Sequence, residues 1–333
     1  MAAVFPVSNG FDTTPSYSGA FIPTLWSGKL LAKFYQNTIL SEITNTDYEG
    51  ELKNQGDTIR IRLAPSITIR DYTVGGTLTS EVPTPIFQDM QVNKGKYFNV
   101  QVSDVLAYQS DMDLMNMFTE DAAKQLKIAI ENEVFFNNFV TEGAAAANVG
   151  ATAGKISAAY NLGTDTAPID QATPENVLKA ILRMSTVLDE QNVPEDGRFL
   201  VLSPYDRHLL MQSSLAQAYF TGDTSSTLRT GKIGMIDRFS VYVSNLLPRG
   251  AAGKALVAGL SDPSTGGAVA SAKARRVMIA GTKHANSFAL TVNKTEPLRN
   301  QTDFGDLVRG LAVYGRKVVK PEAMAIAVVG SAT

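Results

Sequence analysis

Between Phe118 and Val134 apolar residues return at every fourth position, through Ala122, Leu126 and Ile130, and Met115, Ala129 and Phe136 widen the stripe. A period of four places these side chains on one face of an α-helix. Ser110 or Asp111 can cap its start, Asp111 and Asp113 suit the positive end of its dipole, and Gly143 suits its stop. The predicted rod has about 30 residues and spans roughly 45 Å at 1.5 Å per residue, more than a compact domain needs. Glu120 with Lys124, and Lys127 with Glu131, stand at helical pairing distance and read as a solvated flank.

Upstream the period changes to two. Ile59, Ile61 and Leu63 point one way and Arg60 and Arg62 the other, then Ile67 and Ile69 flank Thr68. The segment passes through Gly75-Gly76 and Pro83-Thr84-Pro85, turns at Asn93 to Lys96, and returns with Phe98, Val100 and Val102 in alternation. Residues 48–102 are therefore expected to form a long ribbon of strands with no helix. A two-stranded ribbon is marginal alone in water, and a face carrying Arg60 and Arg62 is no core face, so the ribbon must lean on something else.

Before it, residues 1–20 are rich in Ser, Thr, Gly and Pro with isolated aromatics such as Phe5, Phe11 and Tyr17, which reads as an arm without its own core. Leu25, Trp26, Leu30, Leu31, Phe34 and Tyr35 then recur at steps that predict a short amphipathic helix ending before Asp47.

After a loop at 143–170, Thr173 and Pro174 open a helix with Val177, Leu178, Ile181, Leu182 and Leu188 on one face, stopped at Val193-Pro194. Phe199 to Leu202 is a short buried strand, and Ser203-Pro204 starts a helix through Leu209, Leu210 and Met211. Strands are expected at Phe239 to Val243, Val277 to Ala280 and Phe288 to Val292, around a Gly-, Ala- and Ser-rich excursion from Gly250 to Lys273. Leu311 and Val313, Val318 and Val319, and the run Ala323 to Val329 read as strands finishing in a core. The fold class is α+β.

Composition narrows what such a chain can do. With no Cys and only two His among 333 residues, disulfide scaffolds, zinc fingers and cysteine nucleophiles are excluded. Lys plus Arg number 30 against 32 Asp plus Glu, a formal charge of -2, which argues against affinity built on neutralising phosphates. Charged residues are only 19%, below the roughly 25% of an average soluble domain, which hints at surface covered by partners. The length exceeds the roughly 250 to 300 residues at which one core stops growing, so two cores or an extended shape are expected. No cationic start or long apolar run suggests a secretory signal or a membrane span, and the chain is expected to be soluble and unexported.

Catalytic motifs are missing. His208 and His284 lie far apart, no HExxH or G-x-S-x-G occurs, and a Ser-His-Asp set around His208 has no turn to expose a nucleophile. Gly231-Lys232 and Gly253-Lys254 lack the remainder of a phosphate loop, and Asp303-Phe304-Gly305 has no companion kinase motifs. No catalytic residue, metal ligand or cofactor is assigned.

The order of arm, long two-stranded loop, spine-like helix, α/β region and returning strands resembles the major capsid proteins of tailed bacteriophages of the Hong Kong 97 type. Stretches that add to the likeness are Val102 to Asp113, Asn192-Val193-Pro194 with Arg198 to Pro204, Gly231 to Pro248 and Phe304 to Pro321. The resemblance implies an N-terminal arm at 1–47, an extended loop at 48–102, a spine helix and peripheral domain at 103–142, a linker at 143–170, an axial domain at 171–295 and peripheral strands at 296–333. It implies a shell subunit, not an enzyme: copies joined as pentamers and hexamers into an icosahedral shell around double-stranded DNA, assembled in the host cytoplasm as part of the virion. Scaffold and portal proteins, and in some members a decoration protein, would be partners, with DNA touched weakly and without sequence preference. Interface candidates on arm and loop are Trp26, Phe34, Ile59, Arg60, Ile61, Arg62, Lys94 and Lys96. Some family members weld subunits by a Lys-to-Asn isopeptide bond; Lys53, Lys94 and Lys96 lie on the loop here, but no matching Asn and Glu can be assigned, so non-covalent holding is expected. An encapsulin-type compartment sharing the fold, and a soluble hydrolase using His208, are the alternatives.

Overall fold

The computed structural model describes residues 35–36, 38–48, 58–109, 113–213 and 234–331. Of the predicted helix with its stripe from Leu25 to Tyr35, the part through Phe34, Trp26 included, lies outside them, as do the arm at 1–20 and Lys53; Tyr35 is in no helix, and before Asp47 the described residues are helical only at Leu40–Ile43.

A single helical turn, α1 (Leu40–Ile43), precedes the ribbon strands β1 (Thr58–Leu63) and β2 (Ile86–Gln91). Then come β3 (Lys94–Ser103), α2 (Asp104–Gln109) and α3 (Leu114–Glu133), which runs on as a π-helical segment at Val134–Glu142. The second half holds β4 (Ile169–Asp170), α4 (Pro174–Glu190), β5 (Arg198–Leu202), α5 (Pro204–Gln212), β6 (Met235–Ile236), β7 (Phe239–Val243), β8 (Arg249–Gly250) and β9 (Ala274–Thr282). Two long strands, β10 (Asn286–Arg299) and β11 (Gly305–Val318), lead to the last strand, β12 (Met324–Ser331).

Local chemistry accounts for most boundaries. Asp113 caps α3 by accepting the Asn116 amide, and the cap candidates Ser110 and Asp111 lie outside the described residues. The helix ends at Gly143, whose amide donates to the Asn138 carbonyl five residues back, the spacing of a π turn. Pro174 and Pro204 occupy first turns, where a missing amide costs nothing. Ser203 caps α5 by accepting the Asp206 amide.

Among the described residues the strands form three sheets. The large one is mixed, in the order β4-β12-β9-β5-β7-β6 with β8 paired to β9; β5 and β7 run parallel, as do β12 and β4. β5 and β12 are buried along their whole length, the signature of central strands covered on both faces. A three-stranded antiparallel sheet has the order β10-β11-β3, and β1-β2 forms the third. The main core runs from Ile43 through Val134, Phe135 and Phe139 to the large sheet, where Phe139 meets Phe199 edge-on at 6.3 Å. A second, small core lies beneath the ribbon, so the expectation of more than one apolar cluster agrees with the structure.

Three expectations are corrected. The strand that closes the ribbon is 86–91, whereas 94–103 leaves it to pair with β11; Phe98, Val100 and Val102 alternate because one face of the three-stranded sheet packs toward α3. Ile67 and Ile69 lie in no strand, because pairing stops at Leu63 opposite Ile86. Glu131 is not on a solvated flank but buried, with its carboxylate bound to the segment before α1. Residues 143–170 are tied in by Asn148, which is fully buried and donates to the Gly143 and Pro321 carbonyls. The returning strands divide: β11 stays in the small sheet, and β12 enters the large one beside β9.

Candidate assembly interface

Antiparallel register puts residues opposite one another on the same face. In the ribbon, Ile59 faces Met90, Ile61 faces Gln88 and Leu63 faces Ile86 on one side; Arg60 faces Asp89 and Arg62 faces Phe87 on the other. The first face docks on the small sheet: Ile61, Met90 and Val92 pack with Ala289, Val313 and Val319. Docking brings the Gln91 carbonyl so close to Gly315 that a side chain there would begin 3.0 Å from the oxygen, an approach that favours glycine. The second face is exposed. Asp89 accepts from Arg60 Nε and Nη2 at 2.9 and 3.1 Å, and the guanidinium lies 4.1 Å over the Phe87 ring. This bond to Arg60, ahead of the opposing effect of partial desolvation, holds the Asp89 carboxyl below the usual aspartate range.

Past the last ribbon pair, residues 64–85 carry Ile67, Ile69, Tyr72, Val74, Leu78 and Val82, all exposed, with Ile69 at 90% and Val74 at 94%. Gly75, at φ +85°, turns the chain at the tip. A string of large apolar side chains with this exposure is the kind of surface that partners cover. The docked ribbon base fixes where the string projects from the subunit.

A second apolar area lies on the small sheet, on the part of its outer face that the ribbon leaves uncovered. Tyr97 and Leu311 pair there, both exposed, beside a cavity of about 540 Å³ rimmed by Asn99, Lys294, Glu296 and Arg309. Glu296 accepts from Arg309 Nη2 at 2.9 Å. Its carboxyl is held low by the bonds from Lys294 first and Arg309 second.

The sequence-derived candidates scatter over this geometry. Ile59 is half-buried at the edge of the small core and Ile61 is inside it, so Ile61 anchors the ribbon to its own subunit. Arg60 is held by Asp89, whereas Arg62 is exposed beside a cleft of about 570 Å³ between the ribbon and the Val319–Glu322 turn. Lys94 borders a polar cleft with Asp89, Glu142 and Lys317. Lys96 is spent inside the subunit: its Nζ lies 3.0 Å from Glu133 Oε2. Burial alone would raise the Glu133 carboxyl, but the Tyr314 hydroxyl at 2.6 Å, Lys96 and Arg316 outweigh it and hold the group low. Ile67 and Ile69 were read as strand residues and Leu311 as part of a core strand, and none of the residues from Ile67 to Val82, nor Tyr97 with Leu311, was marked as an interface candidate; the signal between Tyr72 and Val82 was large apolar residues among Gly, Pro and Thr, where strand alternation fades.

His208 sits exposed on α5, its Nε2 3.1 Å from the Gln212 side-chain nitrogen. Among the described residues no group of His, Asp and Glu is gathered for a metal ion, and no helix is long and apolar enough to cross a membrane.

The model of the family described as phage capsid protein matches residues 88–328, more than half of the chain. The chain belongs to the phage capsid protein family. This capsid protein is a shell subunit and a component of the virion, not an enzyme, and the hydrolase reading of His208 falls with that assignment. The fold agrees across solved structures. A Mycobacterium phage Che8 structure aligns at TM-score 0.68 and 22% identity, covering 92% of this chain and 97% of that one. The capsid of cyanophage P-SCSP1u aligns at 0.67 and 15%, covering 94% and 93%, and the mature capsid of bacteriophage PhiM1 at 0.62 and 14%, covering 93% and 92%. A search of curated proteins finds no match. The matches favour a phage capsid over the encapsulin alternative and imply self-assembly into an oligomeric shell.

Proposed function

We propose that this capsid protein closes, as pentamers and hexamers, into an icosahedral shell of the Hong Kong 97 type around a double-stranded DNA genome. The observation that carries the reading is the apolar string from Ile67 to Val82, presented on a ribbon whose base is docked. In this reading each copy lays residues 64–85 on a neighbour, and Tyr97 and Leu311 are part of the surface that receives them. α3 with the three-stranded sheet forms the peripheral domain, α3 being the spine. The large sheet with α4 and α5 forms the axial domain, and its pairing draws β12 into that unit. Arg62 and Lys94 are exposed enough to contact neighbours at the rim, and Trp26 and Phe34 belong to the arm.

Contacts of roughly 1,600 Å² between neighbours, repeated many times, turn modest affinities into a stable shell. The near-neutral chain suits a container, because a strongly basic wall would hold the entering DNA by counterion release. Assembly takes place in the host cytoplasm with scaffold and portal proteins, a decoration protein being a further partner, and the subunits are held without covalent welds. Electron microscopy and light scattering of the purified protein are expected to show megadalton closed particles, and particles from infected cells to protect double-stranded DNA from nuclease. A stable monomer refutes the assembly reading. Particles filled with protein and free of DNA favour a compartment, and a ladder of covalent multimers on a denaturing gel refutes non-covalent holding.

A further inference from the structure

The segment leading into α1 meets α3 at two carboxylates, Asp121 through the Tyr35 hydroxyl and, in the interior, Glu131. Glu131 Oε2 accepts the Ile39 amide at 2.8 Å and the Leu40 amide at 3.0 Å. The residue is 1% exposed, and its second oxygen, Oε1, is buried with no hydrogen-bond partner. Beside it lies a cavity of about 320 Å³ bounded by Thr38, Leu40, Thr44, Lys127, Ile130 and Phe288. An ionised carboxylate with one oxygen doubly satisfied and the other orphaned in an apolar setting is an expensive arrangement. Protonation lowers that cost, because it removes the buried charge while the carbonyl oxygen still accepts both amides.

We propose that Glu131 is a proton-operated clasp: with its carboxyl protonated it holds the Thr38–Ile43 segment against α3, and on ionisation it lets that segment go. Charges around it do not cancel this. Lys127, one turn earlier on α3, is exposed at the cavity rim, and Lys124 and Asp121 are engaged farther along with Tyr35, the lysine 4.6 Å from the ring and the carboxylate bonded to the hydroxyl at 2.8 Å. Glu42 on α1 is exposed, and β10 offers only Phe288 and Leu290 to this cavity. Glu133, with Lys96, Tyr314 and Arg316, forms a separate network toward β3 and β11.

The sign follows from burial. Desolvation outweighs the two amide bonds and pushes the Glu131 carboxyl up from 4.5 to about 7. A released, hydrated Glu131 titrates near the ordinary value of about 4.3. The docked state therefore binds the proton more tightly, so docking is strongest below about pH 4.5 and weakens as pH rises, the loss being complete above about pH 7. Across that range the docking equilibrium changes by roughly two orders of magnitude.

Hydrogen exchange of the full chain, followed by mass spectrometry or NMR at Ile39, Leu40 and neighbouring amides, tests this. After correction for intrinsic exchange chemistry, protection is expected to fall by about 100-fold between pH 5 and pH 8, while amides of β5 and β12 stay level. Glu131→Gln keeps the shape and the accepting oxygen, and is expected to flatten the profile. Lys127→Met tests the rim lysine and is expected to preserve the profile. A profile that is flat, or that rises with pH, in the unaltered protein overturns the proposal, as does an identical profile in Glu131→Gln. The readout lies within one subunit, so it stands or falls separately from shell closure.

Discussion

Replacing Ile69 by Ser tests the proposed interface role of the loop apart from the core of the subunit. Ile69 is 90% exposed in the subunit, so the folded monomer loses little, within about 0.5 kcal/mol as for other surface changes. If a neighbouring copy covers it, the isoleucine side chain leaves water on assembly, a gain of about 1.5 to 3 kcal/mol that serine forgoes. At about 1.4 kcal/mol per tenfold, the concentration at which particles appear should rise roughly 10- to 100-fold. Ile61→Ala is the matched control. Ile61 is packed against Met90, Val92, Ala289 and Val313, and its truncation should cost about 2 to 4 kcal/mol of docking within the subunit. The assay pairs light scattering against concentration with urea unfolding and hydrogen exchange of unassembled subunits. Ile69→Ser should move only assembly, and Ile61→Ala should also unprotect β1 and β2. An unchanged assembly threshold for Ile69→Ser combined with Val74→Ser would refute the role given to this loop.

Further outcomes follow from other contacts. Lys96→Met should cost about 0.5 to 1 kcal/mol near neutral pH, the range for a partly exposed pair. Because Glu133 is held low, that contribution is present above the ordinary carboxylate range and disappears as pH falls through the folded value, so the two urea curves should converge in acid. Gly310→Ala should lower the melting temperature by overlap with the Phe98 ring that lies across it, and Phe98→Leu in the same chain should recover part of the loss. Arg198→Met should destabilise by about 2 to 4 kcal/mol in thermal unfolding. The buried guanidinium ties the turn after α4 through the Val193 and Pro194 carbonyls at 2.6 and 2.9 Å and Asp189 at 2.7 Å.

Elements whose period is set by one buried face were legible in the sequence. The four-residue stripe found α3 and its stop, the Thr-Pro and Ser-Pro openings found α4 and α5, and alternation found β1, β7 and β11. Partner choice was not legible: the alternation of Phe98, Val100 and Val102 is the same whether they pair with β1 or, as observed, with β11. Long-range pairing is decided by which apolar faces meet, which a local period does not encode. Glu131 was misplaced for a related reason. Its spacing from Lys127 satisfies the helical pairing rule, but the amides of Ile39 and Leu40 arrive from a segment 92 and 91 residues away. At the interface, the sequence pointed to the ribbon and its charged residues. The apolar string past the last pair came from the structure, because exposure of Ile69 and Val74 is a property of where pairing ends.

The position of β12 sets an order of events during synthesis. It lies inside the large sheet between β4 and β9, with every residue buried, so until 324–331 have left the ribosome the sheet has an open slot along β9. A nascent chain can form α4 and the β5–β7 pair but cannot complete the platform beneath them. The large sheet is therefore closed only when 324–331 dock between β4 and β9, whatever has formed before them.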